Sequence, residues 1–233
     1  MQMDALSLPV RILLWAMPVI FAVTVHEVAH GVVAGYFGDP TARRAGRLSL
    51  NPLRHIDPIG SIVVPGVLLW IGGFIFGWAR PLPVDAHSLH RPKRDMALVA
   101  VAGPLANLLM SLTWALVMKA GIWVTASVPS AGTLLIYTGA AGVFINSALM
   151  MLNLLPLLPL DGGRIVQPLL PAPAGRLLLR LEPWGFPVLV ALIASGLLSK
   201  LVWPMMVVGM AASTYLVGLP VGLLTGALRV MLG

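Results

Sequence analysis

The sequence predicts an all-α polytopic membrane protein: a bundle of about five transmembrane helices with a Gly/Pro-rich re-entrant element. Three observations predict it. Of 233 residues, 58% are hydrophobic and only 10% are charged, with a mean hydropathy of +0.94, whereas soluble domains are about 25% charged. The apolar residues fall in runs of spanning length, separated by Gly and Pro. The fifteen Lys and Arg sit at the ends of those runs, as orientation signals do, so the net charge of +7 is no sign of a nucleic-acid partner. The absence of cysteine excludes disulfides, a thiolate nucleophile and Cys-ligated metal. Residues 1–233 read as one domain, without repeats or low-complexity tracts. A basic n-region followed by a small-residue cleavage site is lacking, so the first span is expected to be retained.

The first helix should start near Leu8-Pro9 and stop at the breaker Gly38-Asp39-Pro40. A basic loop follows with Arg43, Arg44, Arg47 and Arg54, then an apolar stretch, 59–79, interrupted by Gly60, Pro65, Gly66, Gly72, Gly73 and Gly77. Arg80, Arg91, Lys93 and Arg94 make a second basic loop. If 59–79 crosses the membrane, the fifteen cations split nine to six. If it dips in and returns, twelve share one face and three (Arg11, Lys119, Lys200) take the other. The positive-inside rule favours the second arrangement, and irregular backbone is tolerated at membrane depth when protein covers it. Small β-strand or hairpin content is expected near residues 45–50 and 78–85. A span over 96–117, a loop over 119–133 and a span over 134–158 come next. Arg176 and Arg180 then mark a loop on the basic side. Two C-terminal helices, 184–202 and 204–228, are separated by breaks at Glu182-Pro183 and Trp203-Pro204 and serve packing.

Within the first helix lies His26-Glu27-Val28-Ala29-His30. Histidines four apart share one helix face and can hold one Zn²⁺, with Glu27 beside them to take a proton from water. Ionisable groups inside an apolar span are costly and so point to function; a polar knot joining helices is the weaker alternative. Catalytic zinc usually has three protein ligands. Of the remaining acids, only Asp161 directly follows a long apolar segment, on a Pro-rich break ending in Gly162-Gly163. It ends on the basic side, toward which the His26 helix also runs. Asp161 is therefore the third candidate ligand, the alternative being an Asp that caps a turn. Asn107 opens the 96–117 span as an amide that must find partners. It either stabilises an oxyanion or hydrogen-bonds between helices.

Three stretches carry a resemblance: His26-Glu27-Val28-Ala29-His30, Ala102-Gly103-Pro104-Leu105-Ala106-Asn107, and Asn153-Leu154-Leu155-Pro156-Leu157-Leu158-Pro159-Leu160-Asp161-Gly162. In order, they resemble the signatures of the site-2 protease family of intramembrane zinc metalloproteases. The likeness covers about residues 10–170, the catalytic core. Gly46 to Gly60 and Phe76 to Val84 resemble a compact bacterial subgroup without PDZ or CBS domains. The resemblance implies one zinc per chain on His26, His30 and Asp161, with Glu27 as the base that activates water. It implies Asn153 as a residue that holds the substrate backbone, and hydrolysis of peptide bonds in transmembrane protein substrates. A multi-pass protein of the bacterial cytoplasmic membrane is implied, its active site toward the cytosolic side, in contact with the bilayer and open to a regulatory membrane partner. Arg80-Pro81-Leu82-Pro83-Val84 is a candidate lip where substrate strand could add, although its prolines limit the edge it offers. His55 and Asp57 fit a turn or interface better than substrate entry, and His87 and His90 fit a solvated loop better than a second metal site. A transporter would need paired broken helices in two related halves, which the sequence lacks. An inactive scaffold would not need all four of these site residues.

Overall fold

A computed structural model describes residues 8–63 and 80–232. Its helices are α1 (Leu8–Tyr36), α2 (Thr41–Arg44), α3 (Pro92–Thr125), α4 (Pro129–Asn153), α5 (Asp161–Val166), α6 (Ala172–Ala194), α7 (Leu197–Leu216) and α8 (Val221–Leu232). Five of them, α1, α3, α4, α6 and α7, are long and apolar enough to cross a membrane. The protein is an all-α, multi-pass membrane protein. No strand forms among the described residues, so the β content expected near 45–50 and 78–85 is absent there. Pro81 and Pro83 have no N–H to give a ladder, and the amide of Leu82 between them is spent on a side chain in α1.

The centre of the bundle is the α3–α4 hairpin, against which α1 packs. Lipid offers no hydrophobic gain for helix association, so close packing and internal hydrogen bonds must supply it. Gly142 lies against the indole of Trp114, where a Cβ would overlap the ring. The two helices meet at backbone distance for that reason. Leu14, Met118, Tyr137, Val143 and Met210 complete the apolar core on one side. Deeper along the bundle, buried Asn107, Ser111, Asn146, Ser147 and Ser213 form a polar layer.

Several boundaries move from expectation. The hairpin turn is only 126–128, because α3 continues to Thr125 and Pro129 starts α4 at a helix N-terminus, where its missing N–H costs nothing. Residues 119–133 are thus mostly helical rather than a loop. The C-terminal breaks fall at Gly196, which has φ +71°, and at 217–220, where Gly218 has φ +70° and the expected 204–228 span is divided in two, and not at Pro183 or Pro204. Both prolines are carried inside helices. Arg176 and Arg180 accordingly lie within α6, not in a loop.

Ser111 donates to Ser213 (2.9 Å), and the Val217 carbonyl accepts from Lys119 Nζ (2.7 Å). Helix α7 therefore runs in the direction of α3. The chain between the end of α4 and the start of α7 begins and ends at the same end of the bundle. Lys200, in the first turn of α7, belongs to that basic end rather than the opposite one. Arg229 makes the reverse exchange: α8 starts at the far end and its 12 residues reach only about 18 Å.

The proposed re-entrant element falls largely on residues 64–79, outside the described residues. Its flanks are described. Arg80 N–H donates to the His55 carbonyl (2.9 Å), and Arg47 donates to the Arg80 carbonyl (2.9 Å). The two ends meet at one place, so the basic loops on either side share one face.

Candidate metal centre

His26 and His30 come from one face of α1, one helical turn apart. Asp161 is the first residue of α5, delivered by the turn that ends α4. Leu154, Leu155 and Leu158 crowd Gly162 and Gly163, so nothing larger would let the α5 turn sit so near α4. The two imidazole Nε2 atoms are 3.1 Å apart, and Asp161 Oδ2 lies 3.2 Å from His26 Nε2 and 3.4 Å from His30 Nε2. Among the described residues, this is the one group of three metal-capable side chains.

The far side of each imidazole is committed. His30 Nδ1 faces the Val99 carbonyl at 2.8 Å, an acceptor only, so Nδ1 carries the proton. His26 Nδ1 faces Asn107 Oδ1 at 2.7 Å. With both protons on Nδ1, three lone-pair atoms converge on one point. Asp161 Oδ2 is buried there with no hydrogen-bond donor. A cation at that point would satisfy all three atoms at once.

Gly103 of α3 sits against both rings. A Cβ there would lie 2.5 Å from His26 Cε1 and 2.5 Å from His30 Nε2. Glu27 points to the same cavity, of about 340 Å³, walled by Pro81, Leu82, Asn153 and Arg164 among others. Its Oε2 accepts the Leu82 N–H at 2.8 Å.

The chain is similar to three curated proteins. Over 198 residues the chain is 37% identical to "Putative zinc metalloprotease YwhC" of Bacillus subtilis, covering 82% of this chain and 84% of that protein. The chain belongs to the YwhC family of zinc metalloproteases. It is 29% identical over 182 residues to "Putative zinc metalloprotease Rip2" of Mycolicibacterium smegmatis, covering 78% of this chain and 66% of the relative. Against the Rip2 protein of Mycobacterium tuberculosis it is 28% identical over 144 residues, covering 61% and 52%. No family model matches the chain, and no solved structure matches it.

The residues of this YwhC-family chain fit zinc. Bonds of about 2.0–2.1 Å in a tetrahedron put ligand atoms about 3.3 Å apart, and the three atoms here are spaced 3.1, 3.2 and 3.4 Å. The donor set, two imidazoles and a carboxylate, is one that catalytic zinc uses.

Other candidate residues fall elsewhere. Asn153 lines the cavity, with its amide N–H donating to the Leu149 carbonyl of its own helix (3.0 Å). Asn107 is fully buried behind His26, outside the cavity wall. His55 is buried in a turn, its Nε2 on the Ser49 carbonyl (2.7 Å). His87 and His90 are exposed, and the Asp85 carboxylate beside them takes Ser88 Oγ–H and His87 N–H, which hold it below the usual carboxylate range. Of the 80–84 segment, Pro81, Leu82 and Val84 line the cavity. Its central amide already serves Glu27, and this leaves little edge for strand addition. Gly103 falls inside the Ala102-to-Asn107 stretch singled out in the sequence, but its contact with both imidazoles, like the roles of the Val99 carbonyl and the Leu82 amide, has no sequence signal of its own.

Proposed function

We propose that the protein is an intramembrane zinc endopeptidase of site-2 protease type, hydrolysing peptide bonds of membrane-spanning substrates. The observation that carries the reading is the convergence of His26, His30 and Asp161 on one point of a cavity that also holds Glu27. Zinc, held by those three side chains, would supply Lewis acidity to water and to the scissile carbonyl.

Glu27 then has the base's task. Its carboxylate takes a proton from the attacking water and returns it to the leaving amine. The Leu82 N–H on Oε2 fixes the carboxylate's direction and leaves Oε1 for that proton. Asn153 offers an amide at the cavity wall for the substrate backbone, whose helix must open locally before attack because its carbonyls are otherwise engaged. The partners are a transmembrane protein substrate and the lipid around it, and no nucleic acid. The basic loops favour a bacterial cytoplasmic membrane with the site toward the cytosol.

The experiment is cleavage of a single-span substrate by wild type and Glu27→Gln, with zinc measured in both. The variant should keep its zinc and lose cleavage by about 10²–10⁴-fold. Cleavage at near wild-type rate would remove Glu27 from the role of base.

A further inference from the structure

We infer that Asn146 and Asn107 form a positioning relay that fixes the orientation and tautomer of His26. Resting on the metal reading above, it gives the polar centre of the bundle a task in the site.

The relay is anchored on a backbone carbonyl, so its polarity is forced. Asn146 Nδ2 faces the Gly142 carbonyl at 2.9 Å. A carbonyl only accepts, so the NH₂ of Asn146 points there and its oxygen points the other way. That oxygen faces Asn107 Nδ2 at 3.0 Å. The Ala22 carbonyl, 3.4 Å from the same nitrogen, makes the same demand. Asn107 must therefore turn its oxygen to His26, 2.7 Å from Nδ1, and Nδ1 must be the protonated nitrogen. The Nε2 lone pair is then left for the metal. A flipped Asn107 would face its NH₂ toward Nδ1 and set two oxygens against each other at Asn146.

Burial gives the relay its force. Asn107 and Asn146 are both 0% exposed, so no water can replace a lost partner, and the dry surroundings make a mismatched pair costly. His30 obtains the same setting directly from the Val99 carbonyl. The two ligands are thus held in different ways, one by the backbone of α3 and one by two amides in series, Asn107 of α3 and Asn146 of α4. Ser111, Ser147 and Ser213 continue the polar layer but touch no ligand. They serve as the internal control.

The test uses the full-length protein in detergent, stripped of metal, with Asn107→Leu, Asn146→Leu, Asn146→Asp and Ser213→Ala. Zinc affinity is read by competition with a chromophoric chelator, and ligand geometry by the visible bands of the Co²⁺-loaded protein. Partners of metal-bound histidines typically contribute about 10–100-fold in metal affinity. Asn107→Leu should lose that much and shift the Co²⁺ bands. Asn146→Leu should lose part of it. Asn146→Asp should behave as wild type, because a buried, protonated Asp keeps an oxygen toward Asn107 and a hydroxyl for the Gly142 carbonyl. Ser213→Ala should change nothing. At saturating zinc, KM for a single-span substrate should stay at the wild-type value in every variant, which a substrate-binding role for Asn107 would not allow. If Asn107→Leu does not fold, the Asn146→Leu and Asn146→Asp pair decides. Wild-type zinc affinity in both Leu variants, or equal loss in Asn146→Asp and Asn146→Leu, overturns the relay alone. A wild-type protein that takes up no zinc overturns the metal reading, and the relay with it.

Discussion

The cavity has two unlike walls. One is made by α1, α3 and α4, where helices meet at Gly103 and Gly142 and the polar groups behind the site are buried and paired. The other is made by the 80–84 segment and α6, with the α5 turn, which carries Asp161 and packs on the end of α4 at Gly162 and Gly163, between the two. Its polar links at the cavity are few: the Leu82 N–H on Glu27, and an Arg164–Glu182 ion pair at 3.7 Å with both side chains more than 40% exposed. The histidines, whose positions must be held to fractions of an ångström, stand on the tight wall. Glu27 points from that wall toward the loose one, where the Leu82 N–H meets it. We propose that the difference separates holding the chemistry from admitting the substrate.

Breaking the tight wall should have the largest effect. Gly103→Ala places a methyl group within 2.5 Å of both imidazoles, and cleavage should fall by about 100-fold, the order of loss for a 1 Å misplacement. Zinc affinity should fall in parallel; a Gly103→Ala enzyme with normal zinc and normal rate would show that the helices have room to yield. A change at the seam between the walls should cost less. Leu82→Pro removes the N–H on Glu27, and Leu82→Ala keeps it. A charge-assisted hydrogen bond contributes about 1.5–3 kcal/mol, so the proline variant should be at least about tenfold slower than the alanine variant. Equal rates in the two would mean that the amide does not direct the carboxylate. The smallest effect belongs to the loose wall. Glu182→Ala breaks an exposed pair that contributes about 0–1 kcal/mol; thermal stability and zinc content should both stay within error of wild type. A large loss of either would show that α6 is more firmly attached than its contacts suggest.

Much of the tight wall was legible in the sequence. His26, Glu27 and His30 announce themselves because charged groups in an apolar run have few other reasons to be there, and Asp161 stands out as the acid at the end of a span. The extent of α1 was legible too, since Gly38-Asp39-Pro40 combines three breaking tendencies. Pro183 and Pro204 misled because a proline within a membrane helix can be accommodated where neighbouring groups re-satisfy the freed carbonyl, whereas Gly196 ends a helix by adopting a left-handed conformation. The pairing of Asn107 with Asn146 was not legible at all. The residues are 39 apart, and nothing local to either position says which amide faces which. Asn107 could only be assigned two roles from sequence, and the geometry sets it behind His26, bridging α3 to α1 and α4.

The central claim is that His26, His30 and Asp161 hold one zinc. Elemental analysis of purified wild type and Asp161→Ala, prepared in parallel, tests it most directly. About one zinc per chain is expected in wild type, as a three-ligand catalytic site requires, with occupancy well below that in Asp161→Ala. Equal zinc content in the two proteins would contradict the claim.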